Sequence, residues 1–107
     1  MKRIGFLLKV RPDKLAEYKA RHQAVWPEMQ AALRRHGWHN YSLFMRPDGL
    51  VFGYFETPES FEAAQAGMAT EPINAQWQDF MAPFFQGGGD THADEMMETL
   101  EPVFYLE

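Results

Sequence analysis

Residues 18–29 read YKARHQAVWPEM and belong to a helical pattern around which the rest of the chain is arranged. Large side chains recur here at intervals of three and four residues, the spacing that places them on one face of an α-helix: Leu15, Tyr18, His22, Trp26, Met29 and Leu33. A phenol and an imidazole therefore occupy positions where hydrocarbon is expected. Because an unpartnered buried polar group costs about 1 to 3 kcal/mol, we expect these two side chains to find core partners or a ligand.

The limits of this helix follow from its flanking residues. Asp13 is the expected N-cap, and the helix should extend over residues 14–36 until Gly37 ends it. Pro27 removes a backbone donor and clashes with the carbonyl group four residues earlier. The pattern therefore predicts a kink or a new helix start near Trp26.

Segments with the two-residue alternation of β-strands surround this helix. They comprise residues 3–10, residues 38–45 and 50–56 as a hairpin, and residues 100–106 as a last strand with Pro102 at an edge or bulge. A second helical region is expected over residues 58–82, capped by Thr57 and split by Gly67 and Pro72. Residues 86–94, with three consecutive glycines, are expected to form a flexible loop.

The resulting order of elements, βαββαβ, is that of a ferredoxin-like α+β fold, with helices on one face of an antiparallel sheet. A single domain should span residues 1–107. The opposite sheet face would expose a large apolar surface, because many of the alternating residues are aromatic. A homodimer that pairs these faces, a dimeric α+β barrel, is the simplest arrangement that covers them.

Composition narrows the classes of function. The net charge of -5 is unfavourable for nucleic-acid binding, which needs a basic face. The chain has no cysteine, which excludes thiolate catalysis, and its sequence contains no apolar stretch of membrane-spanning length. The basic N-terminus has too short an apolar run for a signal peptide. We therefore expect a soluble, cytoplasmic protein with no membrane partner.

His22 is the leading candidate for proton transfer, because an imidazole titrates near neutral pH. Tyr18 should lie about 6 Å away along the helix axis, close enough to touch the same bound molecule. The alternative is that both are helix residues whose polar tips reach the edge of the core. Tyr41 and Trp77 could likewise line a ligand site or pack in the core. The four histidines form no metal-binding pattern, so no metal is expected.

Three groups of residues together resemble the L-rhamnose mutarotase family. They are Tyr18, Arg21-His22 and Trp26-Pro27-Glu28; Gly37 and His39-Asn40-Tyr41; and Val103-Phe104-Tyr105-Leu106. The likeness extends over nearly the whole chain, and the block from residue 18 to residue 28 is its most specific part. It implies a dimeric α+β barrel that interconverts the α and β anomers of a six-carbon deoxy sugar without a cofactor.

The resemblance also implies roles for individual residues. His22 would act as the proton donor, and Tyr18, Tyr41 and a pair of tandem tryptophans would contact the sugar. In this chain the tandem pair corresponds to Trp77-Gln78, so one indole is replaced by an amide. We therefore expect Trp77 and Gln78 at the substrate site, with the sugar preference open.

Two functions from other classes stay as alternatives. One is a dimeric barrel that binds a small molecule without catalysis, with His22 serving only as a hydrogen-bonding group. The other is a small monooxygenase of the same fold, acting on an aromatic substrate in a pocket rich in Trp and His.

Overall fold

The computed structural model describes residues 1–85 and 96–107. The expected loop over residues 86–94 lies outside the described residues. Within these residues, four strands and four α-helices follow one another in the order β1 Lys2–Lys9, α1 Leu15–His22, α2 Pro27–Arg35, β2 His39–Met45, β3 Leu50–Thr57, α3 Phe61–Ala69, α4 Pro72–Met81 and β4 Glu98–Leu100. No helix in the described part of the chain has the length and apolar character needed to cross a membrane.

The strands form one antiparallel sheet in the order β2-β3-β1-β4. This order and direction confirm the ferredoxin-like α+β fold. Phe6 in β1 and Val51 and Phe55 in β3 are completely buried, and they share one core with Met29 of α2 and Met81 of α4. The alternation in the sequence therefore identifies the face of the sheet that packs against the helices.

The first helical region is divided as Pro27 predicts. α1 ends at His22, and α2 begins at Pro27, with Trp26 as its N-cap. Proline is accepted at the first position of a helix because its missing N–H would have no intrahelical partner there. The expectation that Asp13 caps the first helix is wrong, since residues 12–14 form a separate 3-10 turn that precedes α1.

The second helical region starts later than expected. Ser60, not Thr57, caps α3, and its hydroxyl oxygen accepts a hydrogen bond from the Ala63 amide at 3.0 Å. Pro72 separates α3 from α4 as predicted, but Gly67 lies inside α3 and does not break it. This glycine makes room for a neighbouring side chain, because a Cβ atom at Gly67 would overlap the ring of His36.

The expected last strand over residues 100–106 is wrong. β4 covers only Glu98–Leu100 and pairs with residues 5–7 of β1, and no strand follows it. The segment 101–107 is exposed, including Val103 at 88% and Leu106 at 82%. Its Tyr105 ring lies 3.4 Å from the guanidinium carbon of Arg3.

Strand β2 contains one irregularity, which lies close to Trp38 and Tyr41. The pairing of β2 with β3 shifts by one residue between His39 and Ser42, and Asn40 adopts a left-handed backbone conformation with φ of 50°. This extra residue is a β-bulge. On either side of it, the Trp38 and Tyr41 rings approach to 5.1 Å between centroids.

Candidate functional site

A cavity of about 870 Å³ opens between the helices and the β2 end of the sheet. This volume lies within the range typical of small-molecule sites. Its apolar and aromatic lining includes Val25, Met29, Leu33, Trp38, Tyr41, Leu43, Met68, Trp77 and Met97. The polar lining consists of His22, Gln30, Arg34, His39, Asn40, Gln65, Asn74 and Gln78. A cavity with an apolar lining and several polar groups can hold and orient a small polar molecule.

His22 lies on the wall of this cavity, at the last residue of α1. Its Nδ1 atom is 2.9 Å from the carbonyl oxygen of Tyr18. A carbonyl oxygen only accepts hydrogen bonds, so the proton is on Nδ1 and Nε2 is the nitrogen left for the cavity. Burial lowers the pKa of His22, while the hydrogen bond to the Tyr18 carbonyl opposes this shift.

Tyr18 stands beside His22, as the helical spacing predicts. The two rings are tilted, with centroids 4.3 Å apart, and the Tyr18 ring meets that of Phe85 edge to face. Tyr18 is only 5% exposed, and it is not among the residues that line the cavity. Burial raises the pKa of its phenol well above the usual range, so the hydroxyl stays protonated. Its contact with a sugar stays a prediction.

Trp77 lies on the cavity wall contributed by α4. Its indole meets the His22 ring at 90°, with centroids 5.9 Å apart. The Trp26 ring also meets this indole, at an angle of 84° and a centroid distance of 5.0 Å. Edge-to-face contacts of this kind are favourable and directional. They fix the plane of the indole relative to the imidazole.

Tyr41 lines the same cavity from β2, which is an edge strand of the sheet. Its ring packs against those of Trp38, Phe6 and Phe55 at centroid distances of 5.1, 6.3 and 6.0 Å. The two readings left open for Tyr41, core residue or cavity residue, are therefore combined in one side chain.

Gln78 follows Trp77 and is 8% exposed. Its Nε2 atom donates a hydrogen bond to Oδ1 of Asn74 at 3.2 Å. Its Oε1 atom is buried and has no hydrogen-bond partner among the described residues. Asn74 was not identified from the sequence, although two amides four residues apart on one helix are a detectable signal.

Other polar side chains of the cavity were also not predicted from the sequence. Gln30 and Arg34 lie one turn apart on α2, whereas Gln65 belongs to α3, and only the tertiary fold brings the two helices to the same cavity. His39 and Asn40, which precede Tyr41 in the sequence, also line the cavity. Within residues 1–85 and 96–107, no three His, Asp or Glu side chains are grouped so that they could hold a metal ion.

Comparisons with known proteins agree with this fold and cavity. A family model described as L-rhamnose mutarotase matches residues 3–106. The L-rhamnose mutarotases of Oceanobacillus iheyensis and Bacillus subtilis are 41% and 37% identical to this chain, and the alignments cover 100% of each protein.

A solved structure leads to the same family. The crystal structure of an L-rhamnose mutarotase from Formosa agariphila matches with a TM-score of 0.81 and 28% sequence identity, over 100% of both chains. The binding-module and monooxygenase alternatives are not favoured by these matches. By sequence and by fold, the chain belongs to the L-rhamnose mutarotase family.

Proposed function

We propose that this protein is an isomerase that interconverts the α and β anomers of L-rhamnose or a related deoxyhexose. The proposal depends on the hydrogen bonding of His22. Its Nδ1 atom is bonded to the Tyr18 carbonyl, which leaves Nε2 for a ligand in a cavity large enough for a monosaccharide. Membership of the L-rhamnose mutarotase family supports the choice of sugar.

Ring opening and ring closure each need two proton transfers, and the complete reaction causes no net change of protons. In ring opening, the anomeric hydroxyl loses its proton, the bond between C1 and the ring oxygen breaks, and the ring oxygen gains a proton. The C1–C2 bond of the open aldehyde rotates, and the ring oxygen then attacks the other face of C1. The reverse proton transfers complete the second anomer. This proposed route uses no cofactor.

His22 is the proposed acid and base for these transfers. Because burial lowers its pKa, the imidazole is neutral near pH 7, and Nε2 has a free lone pair. When Nε2 takes a proton, the resulting imidazolium is a stronger acid than that of a solvent-exposed histidine. It is therefore well suited to protonate the ring oxygen. Both reacting oxygens are bonded to C1, so one nitrogen can serve each of them in turn.

The remaining site residues are proposed to hold the sugar. Tyr41, in β2, orients a hydroxyl group of the sugar. Trp77, in α4, supports the apolar face of the sugar that carries the 6-methyl group, and Gln78 follows it on the same helix. The family resemblance assigns Tyr18 the role of orienting a hydroxyl group of the sugar. Its position beside His22 also supports a second role, which is to hold the imidazole in place through its carbonyl and ring.

Magnetisation exchange between the anomeric protons of L-rhamnose tests the function. We expect the parent protein to accelerate exchange, and L-fucose serves as the comparison sugar. General acid/base catalysis contributes about 100- to 10,000-fold, so His22→Ala should lose most of the acceleration while calorimetry still detects sugar binding. Gln76→Met, at an exposed position outside the cavity, is the control variant. Equal exchange with and without the parent protein would refute the proposal.

We also infer that the protein acts as a homodimer. On the sheet face away from the helices, Phe44 is 62% exposed and Phe52 is 39% exposed, with ring centroids 6.4 Å apart. The segment 101–107 exposes further apolar side chains. Light scattering after gel filtration should give twice the chain mass of 12.4 kDa, and Phe44→Lys should shift the protein towards the monomer. A monomeric parent protein contradicts the inference.

The cytoplasmic location expected from the composition is a further proposal, and it is consistent with a chain that contains no cysteine. Fractionation of cells that produce the protein tests it. Recovery in the membrane fraction or outside the cell contradicts it.

A further inference from the structure

Gln78 combines deep burial with an unused hydrogen-bond acceptor. Its Nε2 atom is engaged by Asn74 at 3.2 Å, whereas Oε1 has no partner in the described part of the chain. Buried side-chain oxygens in folded proteins are nearly always hydrogen-bonded. The Oε1 atom of Gln78 therefore needs a donor from outside the described residues.

The position of Gln78 limits what that donor can be. Its side chain lines the same cavity as His22, and it follows Trp77, whose indole contacts the imidazole ring. A pyranose held for proton transfer at His22 therefore also borders this part of α4. Of the groups on such a sugar, a hydroxyl donates a hydrogen bond and a methyl or methylene group does not.

We propose that Oε1 of Gln78 accepts a hydrogen bond from one hydroxyl group of the bound sugar and that this contact determines which sugars are used. The inference rests on the proposed mutarotase function and adds the chemical feature of the substrate that the site recognises. A sugar with an apolar group at this position leaves the buried oxygen unpaired. Sites that hydrogen-bond a substrate hydroxyl reject analogues without it strongly.

A panel of sugars with one changed hydroxyl tests the inference. The anomer exchange of L-rhamnose is compared with that of its 2-, 3- and 4-deoxy analogues and of L-mannose, which has an additional hydroxyl on C6. Each sugar is measured with the parent protein, with Gln78→Met and with Gln76→Met. Methionine is close to glutamine in length and lacks the amide oxygen, and Gln76 is an exposed residue of the same helix outside the cavity.

We expect one position at which the parent protein favours the hydroxylated sugar by about tenfold to a hundredfold in kcat/KM. Gln78→Met should lose most of this discrimination, and Gln76→Met should keep it. Equal discrimination by the parent and by Gln78→Met for every sugar overturns the inference. If the parent still exchanges L-rhamnose anomers, the proposed function survives that result, whereas a parent that exchanges no anomers removes both.

A measurement on the parent protein alone covers the case in which Gln78→Met does not fold. A hydrogen bond to Oε1 polarises the amide and shifts its side-chain nitrogen resonance in NMR spectra. L-Rhamnose or L-mannose should shift this resonance, and the analogue that lacks the recognised hydroxyl should not. The same shift with every sugar contradicts the inference.

Discussion

The rings of His22 and Trp77 meet at a right angle, with their centroids 5.9 Å apart, although one residue ends α1 and the other lies in α4. This contact ties the proposed acid and base to the helix that carries Gln78. The orientation of the imidazole therefore depends on residues that are distant in the sequence.

Replacement of Trp77 by phenylalanine tests the importance of this contact. Edge-to-face aromatic pairs are worth about 0.5 to 1.5 kcal/mol, so Trp77→Phe should lower kcat by roughly two- to tenfold. Trp26→Phe makes the same change in a tryptophan that is not part of the cavity lining, and its effect should be smaller. Equal kcat values for Trp77→Phe and the parent protein contradict the prediction.

The lowered pKa of His22 predicts a pH dependence of stability. Burial disfavours the imidazolium in the folded protein, so the unfolded chain binds more protons in the interval between the folded pKa and the ordinary value of 6.5. The contribution of neutral His22 to the free energy of unfolding is thus present above pH 6.5 and is lost as the pH falls below it. Urea unfolding at pH 5, 6, 7 and 8 measures this loss.

The His22→Gln variant is the reference for the same pH series, because glutamine does not titrate. The stability of the parent protein should fall relative to His22→Gln as the pH decreases from 7 to 5. Parallel stability curves for the two proteins over this range would show that His22 has an ordinary pKa.

Substitution of Gly67 by alanine should destabilise the protein, although alanine is normally the better helix former. A methyl group at this position overlaps the His36 ring, which is held in place by a 2.7 Å contact between its Nε2 atom and Oε2 of Glu71. Overpacking of this kind costs about 1 to 3 kcal/mol, more than the gain of about 1 kcal/mol in helix propensity. Thermal unfolding of Gly67→Ala measures the balance.

A second pair of variants isolates the clash. In a His36→Ala background the ring is absent, so Gly67→Ala should become stabilising. If Gly67→Ala has the same effect with and without His36, the explanation is wrong.

The N-cap of α3 predicts unequal effects at two neighbouring residues. Ser60→Ala removes the acceptor for the Ala63 amide and should cost about 1 kcal/mol in the free energy of unfolding. Glu59→Ala changes an exposed residue just before the cap and should be nearly neutral. Chemical denaturation of both variants measures the difference, and a neutral Ser60→Ala contradicts the assigned cap.

Local signals predicted most of the elements. Pro27 and Pro72 each mark the start of a helix. Their fixed φ angle and missing N–H fit the first turn of a helix but not its interior. Ser60 and Thr57 are both good caps by type, and only the fold selects one of them. The apolar residues after Leu100 have a strand-like pattern, but a strand needs a partner with free backbone groups, and β1 pairs with β4 only as far as Leu100.

Local signals in the sequence also predicted part of the site. Helical spacing was enough to place Tyr18 next to His22, because both lie on α1. The spacing could not show that Tyr18 lies off the cavity wall, since that depends on Phe85 and on the packing of α4. Asn74 and Gln78 are buried on α4 together with Trp77 and Met81, so the spacing of apolar residues alone does not predict this hydrogen-bonded pair.

The extra residue in β2 makes the length of one short segment as important as its composition. Side chains alternate between the two faces of a strand. Trp38, which directly precedes β2, and Tyr41 are an odd number of residues apart, and the bulge between them lets the two rings meet. Deletion of Asn40 would restore regular alternation and turn the indole of Trp38 away from the Phe55 ring on which it stacks at 3.9 Å. A one-residue deletion here would thus have the effect of a mutation in the core.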